Sequence, residues 1–201
     1  MRNLYTLPLS LALLLFSLSS PAEQQDDATL AIFAGGCFWC SEADFDKVPG
    51  VLQTTSGYIG GTIENPTYEE VSSGRSGHSE AVLVRFDPRQ TSYGKLLEAF
   101  WPSIDPLNGD GQFCDNGPQY RSAIFYLNAE QQQLAEASKA ALATSGRFQQ
   151  PIATELRAAT TFYPAEDYHQ DYHSKNPLRY TYYRHGCGRD QRLQQLWGKS
   201  E

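Results

Sequence analysis

Thr29-Leu30-Ala31-Ile32-Phe33-Ala34-Gly35-Gly36-Cys37-Phe38-Trp39-Cys40-Ser41-Glu42-Ala43-Asp44-Phe45 is the stretch that decides the fold. Thr29 to Phe33 is a short apolar, β-favouring run, and Ala34-Gly35-Gly36 reads as a turn. Cys37 to Phe45 reads as a helix, closed by Pro49-Gly50. A strand, a glycine turn and a helix start place Cys37 in the first turn of that helix. There the helix dipole, and N–H groups freed by two glycines, favour a thiolate. Cys37 is therefore the candidate nucleophile; the bland alternative is an inert buried thiol packed beside Phe38 and Trp39.

Working outward, Val51 to Ile59 and Glu80 to Phe86 read as strands, and Tyr93 to Trp101 as a helix. Ser122 to Leu127 reads as a strand, Ala129 to Thr144 as a long Ala/Gln helix ending at Gly146, and Ile152 to Leu156 as another strand. The alternation is that of a mixed α/β or α+β fold. No repeat or linker divides residues 23–201, so a single domain is expected. Ser103 to Tyr120, and the chain from Thr160 onward, are turn-rich and aromatic. These stretches are expected to wrap the sheet, the C-terminal one as a long coil, and to shape a surface cleft.

Of the 201 residues, 40% are hydrophobic and 12% aromatic, enough for one sizeable core, which excludes a fibre or a disordered tail. Sixteen Lys and Arg against 23 Asp and Glu give a net charge of -7, so no cationic field exists to hold nucleic acid or anionic lipid. Residues 1–22 read as an export signal: Arg2, the apolar run Leu7 to Leu18, and Ser20-Pro21-Ala22 before polar Glu23-Gln24-Gln25. The run falls short of the roughly 20 residues of a membrane span. A periplasmic or secreted protein, cut after Ala22 and free of stable membrane insertion, is expected.

The four cysteines are too few for a disulfide-stapled miniprotein, so each is weighed singly. Cys37-x-x-Cys40 reads as a redox pair, half of a zinc site or a coincidence. His185 and Cys187 make a weak closing pair for zinc, and the redox reading is preferred. Cys187 lies between Gly186 and Gly188, whose freedom suits a resolving thiol that moves to another sulfur; a space-filling residue in a tight turn is the alternative. Cys114 is a structural thiol or a spare redox partner. Glu80 shares strand parity with Val82, Val84 and Phe86, and a carboxyl held against such a face keeps its proton, unless it sits at the frayed end of the strand. His169 and His173 have metal-like spacing but lack the glutamate and a third ligand, so no metal is expected.

Several segments together carry a resemblance: Gly35-Gly36-Cys37-Phe38-Trp39, Pro66-Thr67-Tyr68-Glu69-Glu70-Val71, Gly77-His78-Ser79-Glu80-Ala81-Val82, Gln119-Tyr120-Arg121-Ser122 and Tyr163-Pro164-Ala165-Glu166-Asp167-Tyr168-His169-Gln170. In this order they resemble the A-type peptide methionine sulfoxide reductases, from about Ala31 to the C-terminus. The resemblance implies reduction of methionine S-sulfoxide, free or in proteins, on an α/β scaffold with a central mixed sheet. It implies Cys37 as nucleophile, Phe38 and Trp39 as walls for the substrate methyl group, and Asp115 beside the substrate. Glu80, Tyr68 and Tyr120 are then the groups that bind and protonate the sulfoxide oxygen.

The chemistry needs those residue types. Sulfoxide sulfur is electrophilic, but its oxygen leaves only when protonated, so a thiolate works with an acid and hydroxyl donors. Cys37 is left as a sulfenic acid, and a second thiol condenses with it to a disulfide and water. Cys187 is the expected attacker, with Cys40 and Cys114 as additional redox thiols. The Cys37–Cys187 bond would be reduced by thioredoxin or another dithiol. No cofactor is expected, and a monomer is. The rivals are a thiol–disulfide oxidoreductase using Cys37 and Cys40, and an aromatic-rich binding module of the cell envelope.

Overall fold

The computed structural model describes Met1 and residues 29–198, so the expected export signal lies, Met1 apart, outside the described residues. In chain order the elements are β1 (Thr29–Ala34), α1 (Phe38–Phe45), β2 (Val51–Ile59), α2 (Tyr68–Ser72), β3 (Ser79–Phe86), α3 (Tyr93–Phe100), β4 (Gly111–Gln112) and β5 (Asp115–Asn116). They continue with β6 (Ala123–Tyr126), α4 (Ala129–Thr144), β7 (Glu155–Ala158), β8 (Tyr163–Pro164), α5 (Tyr172–Lys175), α6 (Pro177–Gly186) and α7 (Arg189–Trp197).

Six strands form one sheet in the order β7-β6-β1-β3-β2-β8, with β4 and β5 in a separate hairpin. The β6–β7 pair is parallel and the other neighbours are antiparallel, so the sheet is mixed, as expected. Alternation along β1 and β3 sends Ala31, Phe33, Val82 and Val84 to one face and Ile32, Ala34 and Ala81 to the other. On the first face Phe33 stacks on Phe45 of α1 at 4.8 Å and on Phe100 of α3 at 5.1 Å, which seats both helices. Each such side chain contributes about 1.5–3 kcal/mol by leaving water. Phe162 and Ala159 pack over the second face.

Local chemistry starts the helices. Thr67 and Glu70 form a reciprocal capping box at α2, Ser92 accepts from Lys95 N–H at α3, and Asn128 accepts from Gln131 N–H at α4.

Two expectations differ from the structure. The strand read at Ile152 to Leu156 begins at Glu155, because Ile152 and Thr154 are buried as chain packed against its neighbours and the Thr154 hydroxyl pairs with Ser122 at 3.0 Å. The chain after Thr160 holds β8 and three helices, where continuous coil was expected. Neither α5 nor α6 contains a fully buried residue, so no apolar period marks them. Among the described residues no helix is long and apolar enough to cross a membrane.

Candidate active site

The site begins where β1 turns into α1. Gly36 has φ +83°, and a Cβ there would come within 2.6 Å of Gln112 Cβ, so the turn demands glycine. Cys37 is the N-cap of α1, and its carbonyl accepts from the amides of Cys40 and Ser41. The first free amide of the helix, that of Phe38, donates to Glu80 Oε2 at 3.0 Å. Glu80 comes from β3 opposite Tyr58 of β2, and it is 2% exposed. Burial holds its carboxyl proton up to about pH 8, with the Phe38 N–H opposing and the Asp115 charge adding to the shift.

A cavity of about 260 Å³ opens over Cys37. Phe38, Trp39, Tyr68, Glu80, Asp115 and Tyr120 line it, so the structure gathers all of these site residues in one place. Burial, followed by the Glu80 charge, raises the Tyr68 phenol to about 12 and shifts Tyr120 upward too, so both hydroxyls stay protonated as donors at neutral pH. Trp39 is fixed by its indole N–H, which donates to His169 Nδ1 at 3.0 Å, and by Tyr172, which stacks on it at 3.7 Å. Burial pushes the His169 pKa down, which keeps the imidazole neutral and able to accept that bond. Glu166 accepts from the Tyr68 amide at 2.9 Å and from the Tyr58 hydroxyl at 2.8 Å, and so anchors the start of α2.

Tyr183 of α6 also lines the cavity, and nothing in the sequence singled it out. Its hydroxyl donates to Asp115 Oδ2, and burial followed by the Cys37 charge shifts its pKa upward. No motif isolates it, since its neighbours Tyr180 and Tyr182 have the same composition. Asp115 is itself raised by burial, against the Tyr183 hydroxyl and Arg189.

The thiols differ from expectation. Burial pushes the Cys37 thiol well up, and its hydrogen bond with Cys40 and the Glu80 charge add to this. Cys40 is drawn down to about 7 by the hydrogen bond from Cys37, with Arg189 and Arg184 helping against burial. The helix start therefore does not leave Cys37 as the resting thiolate: its nearest amide is given to Glu80, and Cys40 is the more acidic partner. Both are free and buried, and in this state Cys187 is bonded to Cys114, whereas the expected Cys37–Cys187 bond is one formed after oxygen transfer. The Cys114–Cys187 bridge nonetheless borders the site, with Cys187 Sγ 3.9 Å from Asp115 Oδ2.

His169 and His173 do not converge. His169 faces Trp39, while His173 Nε2 lies 3.5 Å from Asp46. Among the described residues the one cluster with metal-like spacing is Cys114, Asp115 and Cys187, whose sulfurs are joined to each other.

Comparison with known proteins agrees with this arrangement. The family model described as peptide methionine sulfoxide reductase matches residues 29–201. A peptide methionine sulfoxide reductase MsrA of Bacillus licheniformis is 58% identical over 170 residues, covering 85% of this chain and 94% of that protein. The methionine sulfoxide reductase A of Corynebacterium diphtheriae has a similar structure, with a TM-score of 0.68 and 37% identity over 77% of this chain and 78% of that one. Mxr1 from Saccharomyces cerevisiae, solved in complex with Trx2, shares the fold at a TM-score of 0.53 and 20% identity, covering 77% of this chain and 91% of that one. By sequence and by fold, this chain belongs to the peptide methionine sulfoxide reductase family.

Proposed function

We propose that the protein reduces methionine S-sulfoxide to methionine through Cys37, as an oxidoreductase that repairs oxidised methionine. The observation that carries this is one cavity holding a thiol, a proton-bearing carboxyl and two phenols beside an aromatic wall. The substrate methyl group rests against Phe38 and Trp39. Glu80 delivers its proton to the sulfoxide oxygen while Tyr68 and Tyr120 donate hydrogen bonds to it. Cys37 gives its proton toward Cys40 and attacks; methionine leaves and the oxygen remains on Cys37 as sulfenic acid.

Cys40 then attacks the sulfenic sulfur, the oxygen departs as water, and a Cys37–Cys40 disulfide forms. The hydrogen bond between the two thiols supports this order, and the bond between Cys114 and Cys187 must open before Cys187 can act. A thioredoxin-like dithiol protein restores the thiols, a reading supported by family membership and by the assembly of yeast Mxr1 with Trx2. Conversion of a chromophore-tagged methionine S-sulfoxide, with dithiothreitol as reductant, tests the proposal. Wild type turns over and Cys37→Ser does not; undiminished turnover by Cys37→Ser would refute it.

We further propose export as a monomer with removal of residues 1–22, supported by the apolar run from Leu7 to Leu18. N-terminal sequencing of the exported protein is expected to begin at Glu23, and a retained Met1 would contradict this.

A further inference from the structure

A second hollow, of about 380 Å³, adjoins the catalytic cavity, and Trp39 and Tyr68 are walls of both. Its floor includes the stack of Trp39 on Tyr172, with planes only 6° apart. Beside it Tyr168 keeps 56% of its surface exposed. Asn176 and Arg179 form a polar edge, and Arg179 makes no ion pair among the described residues. On α6 Arg179 lies one turn before Tyr183, so a single helix face passes from the trough to the catalytic cavity.

We propose that this trough binds the residue next to methionine sulfoxide in a polypeptide, with an aromatic side chain as its best occupant. The reading rests on the proposed function and names the substrate class that the site favours. The argument is continuity: the sulfoxide side chain fills the smaller cavity, so the main chain emerges at its mouth, where the trough begins. Tyr168 and Tyr172 offer ring faces and edges to an aromatic neighbour. Asn176 and Arg179 supply N–H donors to the carbonyls of the passing main chain. A free amino acid uses none of these contacts.

Steady-state kinetics with saturating dithiothreitol can test this on the whole protein. The substrates are free methionine S-sulfoxide and two end-blocked tripeptides, with glycine or with phenylalanine on both sides of the sulfoxide. For wild type the phenylalanine peptide is expected to exceed the glycine peptide in kcat/KM by about five- to tenfold, carried by KM. Tyr168→Ala should narrow that ratio to about twofold, and Arg179→Ala, whose donors serve the main chain of both peptides, should raise KM for both peptides alike while sparing free methionine S-sulfoxide, neither of which a general loss of folded protein would do. Equal kcat/KM for the two peptides, or an unchanged ratio in Tyr168→Ala, would overturn the inference. With thioredoxin in place of dithiothreitol, variants that alter only the KM for thioredoxin would overturn it too, since the trough would then serve the reductant. If wild type reduces every substrate without regard to neighbours, the proposed function stands and this inference fails; no turnover at all would sink both.

Discussion

Glu80 carries a proton at neutral pH because its carboxyl is almost wholly out of water, and the sulfoxide oxygen needs such a proton to leave sulfur. The reductive step is therefore expected to slow as pH rises through about 8, where Glu80 ionises. Glu80→Gln should lower the single-turnover rate by about 100-fold and abolish that pH dependence, as measured by rapid-quench detection of methionine. The same residue costs stability. Its folded pKa lies above the ordinary 4.5, so the unfolded chain ionises first, and stability falls as pH rises from about 4.5 to about 8. Glu80→Gln should thus raise stability on the order of 2 kcal/mol at pH 8 and leave it unchanged near pH 4, by denaturant melts at both values. The amide oxygen of the replacement can still accept from Phe38 N–H. Cys40, the more acidic thiol of its pair, takes up the Cys37 proton during oxygen removal but is indispensable only for recycling. Cys40→Ser should keep its first turnover while thioredoxin-supported turnover drops on the order of tenfold. At this scale the parity of Glu80 with Val82 and Val84 left a frayed strand end open, and the resemblance to a known family picked it as the acid. Tyr183 was not legible, because a tyrosine's position in a cavity depends on how α6 docks and leaves no trace in its neighbours.

The helices α6 and α7 are held by few, specific polar contacts instead of a broad apolar face. Arg189 opens α7, is 1% exposed, and donates to Gly35 O at 3.1 Å and to Ser103 O at 2.7 Å. Its guanidinium lies 4.5 Å from the Phe113 ring, and Arg184 pairs with Asp44 of α1 at 2.9 Å. These arginines tie the C-terminal helices to the turn that carries Cys37. Removing Arg189 leaves two carbonyls unpaired in the interior, so Arg189→Met should destabilise the fold by about 3 kcal/mol in urea melts. The Cys114–Cys187 bridge pins the β4–β5 hairpin to the end of α6 across a separation of 73 residues. Cys114→Ser should lower stability by about 2–4 kcal/mol under non-reducing conditions, measured in the same way. The contrast in legibility follows from the physics. For β2 and α4, sequence reading and structure agree on both ends, because Pro49-Gly50 marks the start of one and Asn128 and Gly146 bracket the other. The helices α6 and α7 rest on arginine contacts with residues far away in sequence, which no local period records.

For the molecule as a whole, one mixed sheet places its two middle strands, β1 and β3, under the helix-covered face, and that is what brings Cys37 and Glu80 together. The mixed fold was readable from element order alone, but the pairing of sulfurs was not: with four cysteines, several pairings are open, and only packing selects one. The account rests on oxygen passing from the substrate to Cys37. Its most direct test is to treat reduced Cys40→Ser with one equivalent of methionine S-sulfoxide, trap sulfenic acid with dimedone, and map the adduct by mass spectrometry. An adduct on Cys37 in proportion to the methionine released is the predicted result. Full release of methionine with Cys37 unlabelled and still a thiol would contradict it.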